Sequence, residues 1–374
     1  MEFVFWFSTF FVLYTYFGYP VLIWLIGLSK TKGVSVPEPA AWPSVAVIVP
    51  VHNEIKYVER KIENLKELDY PKGSLTICFA SDGSDDGTNE LIGQHRDVQL
   101  VAYHQRRGKP SAINEAAARQ TAEILVFTDA RQLVDRRAVR KLVVTLLQQG
   151  VGAVSGELVQ HDTDSITGKS VGMYWGYEKW IRKSESKVHS VAGVTGALYA
   201  IRREDFAQIP EDTLLDDFEI PIRVLRKGNR VLIEPGAYVY DSVQEDASSE
   251  RKRKIRTLAG NFQSFVRNKW LFLPGSNPIW WQFISHKVFR LAVPYALIAA
   301  FITSYLLADW FFNLVFILQC LFYSVALLAH FSPRVKTFRS VSIVHVFCEL
   351  NLAAFLALFS YLTKSIDIKW EKTA

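Results

Sequence analysis

Apolar runs of membrane-spanning length lie on both sides of a central stretch in which short apolar runs alternate with amphipathic ones. Residues 3–28 carry no charge, and such a run exceeds the roughly 20 residues needed to cross a bilayer core. It lacks the basic start and the small-residue cleavage site of a signal peptide. Runs of similar length follow at 288–308, 310–330 and 341–363. The pattern predicts four membrane crossings.

Basic residues beside these runs predict the orientation of the chain. Lys30 and Lys32 follow the first run, and Arg334, Lys336 and Arg339 lie between the last two runs. Because cytosolic loops carry an excess of lysine and arginine, both segments are expected in the cytosol. The sequence therefore predicts a multi-pass protein of the cell membrane whose central domain is cytosolic. The lysines of the C-terminal tail argue mildly against placing that tail outside.

A short aromatic segment at 277–287 precedes the second run and is only partly apolar, as is typical of a helix in the membrane interface. A buried helix of the central domain is the alternative. The predicted segments are an N-terminal span at 1–30, a globular domain at 40–270, an interfacial helix at 271–287, three spans at 288–363 and a tail at 364–374.

The central domain has the pattern of a mostly parallel sheet covered by helices. Its short apolar runs predict strands, and the amphipathic stretches between them predict helices that each follow a strand by a short turn. Ligands of such sheets collect at the carboxyl ends of the strands. The strands are predicted at 45–49, 75–80, 98–102 and 124–127, and the helices at 54–68, 87–96 and 109–120.

Charge and cysteine usage narrow the class of protein. The formal net charge of +6 and the pI near 9.0 suit a chain that faces anionic lipid headgroups. No nucleic-acid recognition motif accompanies that charge, so we expect no nucleic-acid partner. Cys78, Cys320 and Cys348 have neither metal-ligand nor disulfide-framework spacing, which agrees with a reducing cytosolic face.

Two acidic residues follow predicted strands in positions suited to chemistry. Asp82 would accept hydrogen bonds from a nucleobase or ribose, although an Asp-Gly-Ser segment after a strand is most often an ordinary turn. Asp129 is placed to hold Mg²⁺ or Mn²⁺ against a diphosphate through its carboxylate oxygens. A helix cap for residues from Val134 onward is the alternative for Asp129.

The ordered set of motifs resembles glycosyltransferase family 2, in particular its membrane-anchored synthases of cellulose, chitin, hyaluronan and poly-N-acetylglucosamine. The resemblance extends over nearly the whole chain. Each motif is common alone, but a full set in this order is specific. The matching segments are Val47–Glu54, Ser81–Ser84, Gly108–Asn114, Thr128–Ala130, Leu215–Asp217 and Arg253–Thr257.

The resemblance implies a GT-A-like α/β fold and transfer of a sugar, with inversion, from a nucleotide donor. A UDP-sugar is the expected donor, and a saccharide or lipid-linked saccharide is the expected acceptor. A metal ion and two cations would stabilise the leaving diphosphate. The residues expected at the donor site are Pro50, Glu54, Asp82, Lys109, Asp129 and Arg256, with Asp129 as the ligand of Mg²⁺ or Mn²⁺.

On the acceptor side, the resemblance assigns Asp217 as the general base that takes the proton of the acceptor hydroxyl. Asp216, Gly196 and Thr257 are weaker acceptor-side candidates. Gly196 qualifies because glycine permits close backbone approach. Asp216 and Asp217 have a local alternative as caps of the helix that follows, with a proline in its first turn.

Two departures from the family pattern bear on function. Arg131 stands where the metal motif usually ends in a second aspartate, so Asp129 would carry most of the ion. Thr257 replaces the tryptophan that borders the acceptor sugar in processive members, which removes a flat surface for a sugar face. We therefore expect a short product, unless a second copy of the chain or a secretion partner completes a pore.

Two other segments are explained by packing or by the membrane surface, and two other functions are considered. The aromatic run from Tyr174 to Trp180 is expected to serve packing rather than sugar stacking. The basic run 251–254 would be a membrane-facing helix surface if it is not part of the site. A nucleotide-binding scaffold without turnover is a further hypothesis. A Rossmann oxidoreductase is disfavoured, because no glycine-rich phosphate loop follows the first strand.

Overall fold

The computed structural model describes residues 1–30, 37–160, 166–241, 247–332 and 334–363. Its centre is one eight-stranded sheet with helices on both faces. Lys32 and the tail at 364–374, which entered the orientation argument, lie outside the described residues.

The strands are β1 Val45–Val51, β2 Leu75–Asp82, β3 Val98–Tyr103, β4 Ile124–Thr128, β5 Leu133–Val134, β6 Val151–Gln160, β7 Leu198–Arg202 and β8 Arg230–Asp241. The helices are α1 Glu2–Ser29, α2 Ile55–Lys66, α3 Thr88–Gly93, α4 Lys109–Ala118, α5 Ala138–Leu146, α6 Ile166–Val188, α7 Asp216–Arg226, α8 Ala247–Arg267, α9 Trp280–Leu307, α10 Trp310–Phe331 and α11 Arg339–Leu362.

The first half of the sheet follows the predicted βα pattern. Strands β3, β2, β1 and β4 lie side by side and all run parallel. Val47 pairs with Ile77 on one side and with Val126 on the other, so β1 is central and apolar on both faces. Parallel strands covered on both faces read as continuous apolar runs, which is why the sequence revealed them. All four predicted strands and their three helices are confirmed.

The second half of the sheet is mixed. Strand β7 pairs antiparallel with β4 and with β6, whereas β8 runs parallel to β6 and antiparallel to the short β5. The expectation of a mostly parallel sheet therefore holds for the first half and needs correction for the second. Strand β8 mixes apolar positions with Glu234, Pro235 and Gly236, a pattern that no simple alternation would identify.

The two faces of the sheet bury different partners. Alternation along β1 sends Val47 and Val49 to one face, which packs on α2 and α5, and Ile48 to the other, which packs on α4 and α7. The core on the Ile48 side continues through Phe283 and Leu291 of α9 and Ala354 of α11. The globular domain thus shares one continuous core with the apolar helices α9 and α11.

Four helices are long and apolar enough to cross a membrane, namely α1, α9, α10 and α11. They match the four predicted runs. The segment 271–287, predicted as an interfacial helix, does not form a separate helix. Its residues from Trp280 onward are the first turns of α9. Phe283 is buried against Phe265 and Phe272, so packing on the globular domain explains its aromatic character.

A buried ionic cluster fastens the globular domain to α1 and α9. The imidazole of His286 lies 2.8 Å from Glu185 and 3.1 Å from Glu178, both on α6. Arg290 also pairs with Glu178, and the hydroxyl of Tyr19 donates to Glu185 at 2.5 Å. Buried charges persist only when they are paired in this way. The aromatic run on α6 packs around the same joint, through Tyr177 and Trp180, which confirms its role in packing.

Candidate active site

The loops after β1 and β2 brace one another at the carboxyl edge of the sheet. Asn53 adopts a positive φ of 57°, its amide N–H donates to Ser84 Oγ at 3.0 Å, and its side-chain oxygen accepts from the amide of Asp85 at 2.9 Å. The amide of Glu54 donates to Thr88 Oγ1 at 3.1 Å, and Pro50 lies in β1 opposite Ala80. The predicted donor residues Pro50 and Glu54 therefore lie at the edge where ligands of such sheets collect.

Asp82 is buried at the end of β2 and binds the loop before α4. Its two carboxylate oxygens accept the amide N–H groups of Arg107 at 2.6 Å and Gly108 at 2.7 Å. A Cβ at Gly83 would lie 2.7 Å from the amide nitrogen of Arg106, so only glycine allows this close approach. Asp82 thus positions the loop that carries Lys109, and its predicted contact with a nucleobase stays a prediction.

Lys109 links the donor motif to the acidic pair across the site. Its ammonium lies 3.0 Å from Asp129 Oδ1 and 3.3 Å from Asp216 Oδ2. Burial opposes the charged form, but the charges of Asp129 and Asp216 outweigh it and raise the pKa of Lys109. Lys109 is therefore cationic at neutral pH. Residues more than 80 positions apart in sequence meet here, as the motif order implied.

Lys61 holds the loop of Asp129 from behind and was missed by the sequence analysis. Its ammonium is fully buried and donates to Thr128 Oγ1 at 2.9 Å and to the carbonyl of Gln132 at 2.7 Å. Burial lowers the pKa of Lys61 to about 7, against the opposing charge of Asp129. The available signal was a lysine within the buried apolar stripe of α2, between Val58 and Leu65.

The loop of Asp129 does not lead into a helix, because residues Leu133–Val134 form β5 and α5 begins only at Ala138. The helix-cap alternative for Asp129 is therefore wrong. The carboxylate of Asp129 is about one-third exposed and accepts from Lys109. It remains accessible from the carboxyl edge of the sheet.

Asp216 and Asp217 form the first turn of α7 without capping it. The N-cap is Leu215, and no side chain caps this helix end, so the cap alternative is wrong for both aspartates. Pro221 lies inside α7, beyond the predicted first turn. Because proline has no N–H, it cannot bond the carbonyl of Asp217. That carbonyl accepts instead from the amide of Val194 at 2.9 Å, which ties α7 to the segment that contains Gly196.

The carboxyl group of Asp217 has the environment of a general base. Burial, together with the charge of Asp216, raises the pKa of Asp217 to about 6, while Lys109 opposes the shift. A base is most effective when its pKa lies near the working pH. A Cβ at Gly196 would lie 3.3 Å from Oδ2 of Asp217, so Gly196 borders this carboxylate closely.

Helix α8 presses against the segment that leads into Asp216. A Cβ at Gly260 would lie 2.5 Å from Cγ of Leu215. Gln263 accepts from the amide of Leu214 at 2.9 Å, which fixes the same segment. One turn earlier on α8, Arg256 is partly buried and Thr257 is exposed. Their predicted roles toward diphosphate and acceptor stay predictions.

The side chains at this edge fit a hard divalent cation. Asp129 offers an accessible carboxylate, and Oδ2 of Asp216 is buried without a hydrogen-bond partner in the described part of the chain, 3.3 Å from Lys109. Carboxylate oxygens are the ligands that Mg²⁺ and Mn²⁺ prefer. The Arg131 side chain offers no oxygen ligand, so Asp129 and Asp216 are the candidates to hold such an ion among the described residues at this edge.

Two further residues support the site and were not identified from the sequence. Tyr199 is fully buried on β7 and stacks on Phe127 at 4.9 Å. Burial and the charges of Asp216, Asp217 and Asp129 raise the pKa of Tyr199 well above its usual value, so its phenol stays neutral. Arg182 donates to Thr195 Oγ1 at 3.2 Å and to the carbonyl of Gly193 at 3.0 Å, and thereby fixes the loop that leads to Gly196.

Comparison with known proteins agrees with this geometry. The family model for glycosyl transferase family 2 matches residues 46–209. A probable glycosyltransferase, YdaM of Bacillus subtilis (strain 168), is 25% identical over 232 residues, which are 59% of this chain and 55% of that protein. The poly-beta-1,6-N-acetyl-D-glucosamine synthase of Staphylococcus aureus (strain COL) is 23% identical over 274 residues, 67% of this chain and 65% of that protein. The chain thus spans 55–65% of these relatives' length.

A solved structure extends the likeness to nearly the whole chain. The mannosyltransferase PcManGT from Pyrobaculum calidifontis, in complex with GDP-Man and Mn²⁺, superimposes with a TM-score of 0.73 at 26% sequence identity. The match covers 97% of this chain and 100% of that one. It includes the sheet and the apolar helices together, and it confirms the expected GT-A-like fold.

Proposed function

We propose that this chain, which matches the glycosyl transferase family 2 model over residues 46–209, transfers a sugar, with inversion, from a nucleoside diphosphate donor to a saccharide or lipid-linked saccharide at a membrane surface. The reaction belongs to polysaccharide or exopolysaccharide synthesis. One observation carries the proposal: Lys109 lies 3.0 Å from Asp129 and 3.3 Å from Asp216, and the partly buried carboxylate of Asp217 is close enough to Lys109 to interact with it electrostatically. Cation, metal-binding carboxylate and candidate base thus meet at one strand edge.

The chemical step follows from these groups. An acceptor hydroxyl oxygen attacks the anomeric carbon on the face opposite the diphosphate, and the bond from that carbon to the diphosphate oxygen breaks. Asp217 takes the hydroxyl proton as the new glycosidic bond forms. Lys109 and Arg256 offset the negative charge that develops on the leaving nucleoside diphosphate. Inversion at the anomeric carbon is the outcome of this single displacement.

The donor site is proposed to hold one divalent cation through Asp129, with Asp216 nearby. When bound, Mg²⁺ or Mn²⁺ supplies Lewis-acid stabilisation of the diphosphate. The neighbouring mannosyltransferase was solved with Mn²⁺, which supports a divalent ion here. Asp82 and the loop of Lys109 contribute by holding their backbone in a fixed geometry, which favours transition-state stabilisation because little reorganisation is needed.

The nucleotide is the part of the donor that requires the most direct test. The motif resemblance favours UDP, whereas the neighbouring structure holds GDP-Man. Membranes that contain the chain, and that also supply the acceptor, should be incubated with labelled UDP-N-acetylglucosamine, UDP-glucose and GDP-mannose, each with Mg²⁺, Mn²⁺ or chelator. Release of nucleoside diphosphate from one donor, abolished by Asp217→Asn, supports the proposal. Failure of every donor with every ion would contradict it.

The four apolar helices support a multi-pass protein of the cell membrane, with the catalytic edge on the cytosolic side where nucleotide sugars are made available.

Thr257 is exposed on α8, so no aromatic ring borders the acceptor at that position. We expect addition of one or a few sugars. Gel sizing of labelled product from verified monomer tests this, with Thr257→Trp alongside; high-molecular-weight polymer from the unaltered monomer would refute it.

A further inference from the structure

Two histidines and a glutamate face one another where α10 and α11 approach, outside the catalytic edge. His330 lies in the last turn of α10, and His345 and Glu349 lie four residues apart on α11. Residues at this spacing share one face of a helix, so α11 presents both side chains together. One ligand atom from each of the three residues lies within 4.8 Å of the other two. We call these three side chains the His-His-Glu cluster.

The His-His-Glu cluster belongs to helices that are long and apolar enough to cross a membrane. Its three side chains line one end of an apolar cavity of about 650 Å³ between α9, α10 and α11. Ionisable side chains within membrane helices are costly, and where they occur they face a cavity or the bundle interior and mark a functional site. The convergence of three of them at one end of the cavity therefore points to a ligand.

An ion pair alone does not satisfy this cluster. Nδ1 of His330 lies 3.3 Å from Oε1 of Glu349, whereas Nε2 of His345 lies 4.0 Å from the same oxygen, beyond hydrogen-bond distance. Nε2 of His345 is buried and has no hydrogen-bond partner in the described part of the chain. A buried nitrogen without a partner costs free energy. A metal ion between the three side chains would bind this nitrogen.

The distances suit a small tetrahedral metal ion. Zn²⁺ binds imidazole nitrogens and carboxylate oxygens at about 2.0–2.2 Å, so two such ligand atoms lie roughly 3.3–3.6 Å apart in a tetrahedron. The His330–Glu349 distance of 3.3 Å lies in that range. A displacement of roughly 0.5 Å at Nε2 of His345 brings the second distance, 4.0 Å, close to it. Three protein ligands leave the fourth position to water.

The charges around the cluster decide which class of metal ion it accepts. Arg251 lines the same end of the cavity, and Lys254 and Lys336 lie close enough to His345 to interact with it electrostatically. Glu349 is the single carboxylate of the cluster. These surroundings oppose Mg²⁺ and Ca²⁺, which are held by the charge of several oxygen ligands. Zn²⁺ gains much of its binding from coordinate bonds to neutral imidazole nitrogens, so it is the ion that the nearby cations exclude least.

We propose that His330, His345 and Glu349 bind one Zn²⁺ ion, separate from the Mg²⁺ or Mn²⁺ of the donor site, and that this ion ties the end of α10 to α11. The zinc site goes beyond the proposed function, because none of its residues belongs to the catalytic edge. An ion that only the folded chain binds stabilises the fold. The bound ion would thus strengthen the contact between these two helices.

Zinc binding is measured on the full chain in detergent, purified without a histidine tag, freed of metal by chelator and kept in excess Mg²⁺. Titration against a chromophoric zinc chelator should show one Zn²⁺ per chain. His330→Ala and His345→Ala should each weaken that affinity by about 100-fold or more, since even partners outside the ligand shell of a metal contribute about 10–100-fold. His104→Ala is the matched control, because His104 is an exposed histidine of the globular domain. Asp129→Ala should leave the zinc affinity unchanged.

His330→Cys separates metal binding from a purely structural role of the histidine. A thiolate also binds zinc, so His330→Cys should retain the binding that His330→Ala loses. His330 is exposed, so neither substitution should disturb folding. Zn²⁺ should raise the Tm of the unaltered chain and of His330→Cys, but not that of His330→Ala. Co²⁺ bound in place of Zn²⁺ should show the strong visible absorption of a four-coordinate site, and His330→Ala should abolish it.

Sugar transfer is not needed for any of these measurements, so failure of the proposed function would leave their outcome unchanged. Absence of zinc binding by the unaltered chain would overturn the proposal. A bound Zn²⁺ that both alanine variants retain at full affinity would also overturn it, as would a bound Zn²⁺ that Asp129→Ala removes, because the ion would then lie elsewhere in the molecule.

Discussion

The two halves of the catalytic edge are built in different ways. On the donor side, Asp82, Lys61 and Lys109 are held by hydrogen bonds and ion pairs among loops that follow neighbouring parallel strands. On the acceptor side, close packing adds to backbone hydrogen bonds in positioning Asp217, with Gly196 against its carboxylate and Gly260 against Leu215. We therefore expect donor-side variants to lose mainly donor binding, and acceptor-side variants to lose mainly the rate of transfer.

The sharpest test of this division is Asp217→Asn. Removing the base should lower kcat by about 10²–10⁴-fold, the usual contribution of a general base, because an amide cannot take the proton. Donor affinity should stay close to normal, since the change affects the barrier rather than ground-state contacts. Single-turnover transfer and donor binding by calorimetry measure the two effects. Equal loss of both would remove the distinction between the halves.

Asp129→Ala should show the opposite behaviour. Without its carboxylate, donor affinity should fall by about 10–100-fold, as for other losses around a metal site, and added Mg²⁺ or Mn²⁺ should no longer affect binding. The measurement is donor affinity across a metal titration. Asp135→Ala serves as the control. Asp135 lies six residues further along the chain, where its amide donates to the carbonyl of Tyr238 in β8 and its carboxylate accepts from the amide of Arg137. A metal titration unchanged from the unaltered chain would contradict the assignment.

Gly260→Ala tests whether packing alone positions the base. Alanine should favour the helix by about 1 kcal/mol over glycine, yet its Cβ would lie 2.5 Å from Leu215 and displace the segment before Asp216. Transfer should fall about tenfold or more through misplacement of the base, with donor affinity unchanged. Gly275→Ala is the matched control, because a Cβ there meets nothing within 4 Å. Full activity in Gly260→Ala would show that the contact is not needed.

The sequence predicted the donor half of the catalytic edge better than the acceptor half. Strands β1 to β4 could be identified from the sequence because buried parallel strands are short continuous apolar runs between helices. The position of Asp129 at a strand end was predicted from the pattern, whereas the resemblance to a known family placed Lys109 at the donor site. The resemblance to a known family supplied Asp217, for which local pattern offered only a helix cap.

The remainder depended on contacts between distant parts of the chain. Lys61 looked like a surface lysine, since only its position in the apolar stripe of α2 marked it as buried. The contact of Gly260 with Leu215 joins two helices, and no local pattern records it. Pro221 looked like a first-turn residue, whereas its missing N–H frees the carbonyl of Asp217 for Val194. Such long-range geometry becomes visible only in three dimensions.

The smallest expected effect concerns the pH dependence of transfer. Because burial and Asp216 raise the pKa of Asp217 to about 6, kcat/KM should fall as pH drops through about 6, where the base becomes protonated. Asp216→Asn removes a negative charge that raises this pKa, so the acid limb should move to lower pH. Lys109→Gln removes a positive charge that lowers it, so the limb should move to higher pH.

Rate profiles between pH 4.5 and 8, a range chosen to bracket the ordinary carboxyl and the raised value, measure these shifts, which should be of order one unit or less. Asp97→Asn is the control, because this exposed aspartate pairs with Lys66 away from the site. Opposite displacements by Asp216→Asn and Lys109→Gln, with Asp97→Asn unchanged, would link the acid limb to Asp217. A limb that moves in the same direction in both variants would assign it to another group, and the acceptor half would then lack its base.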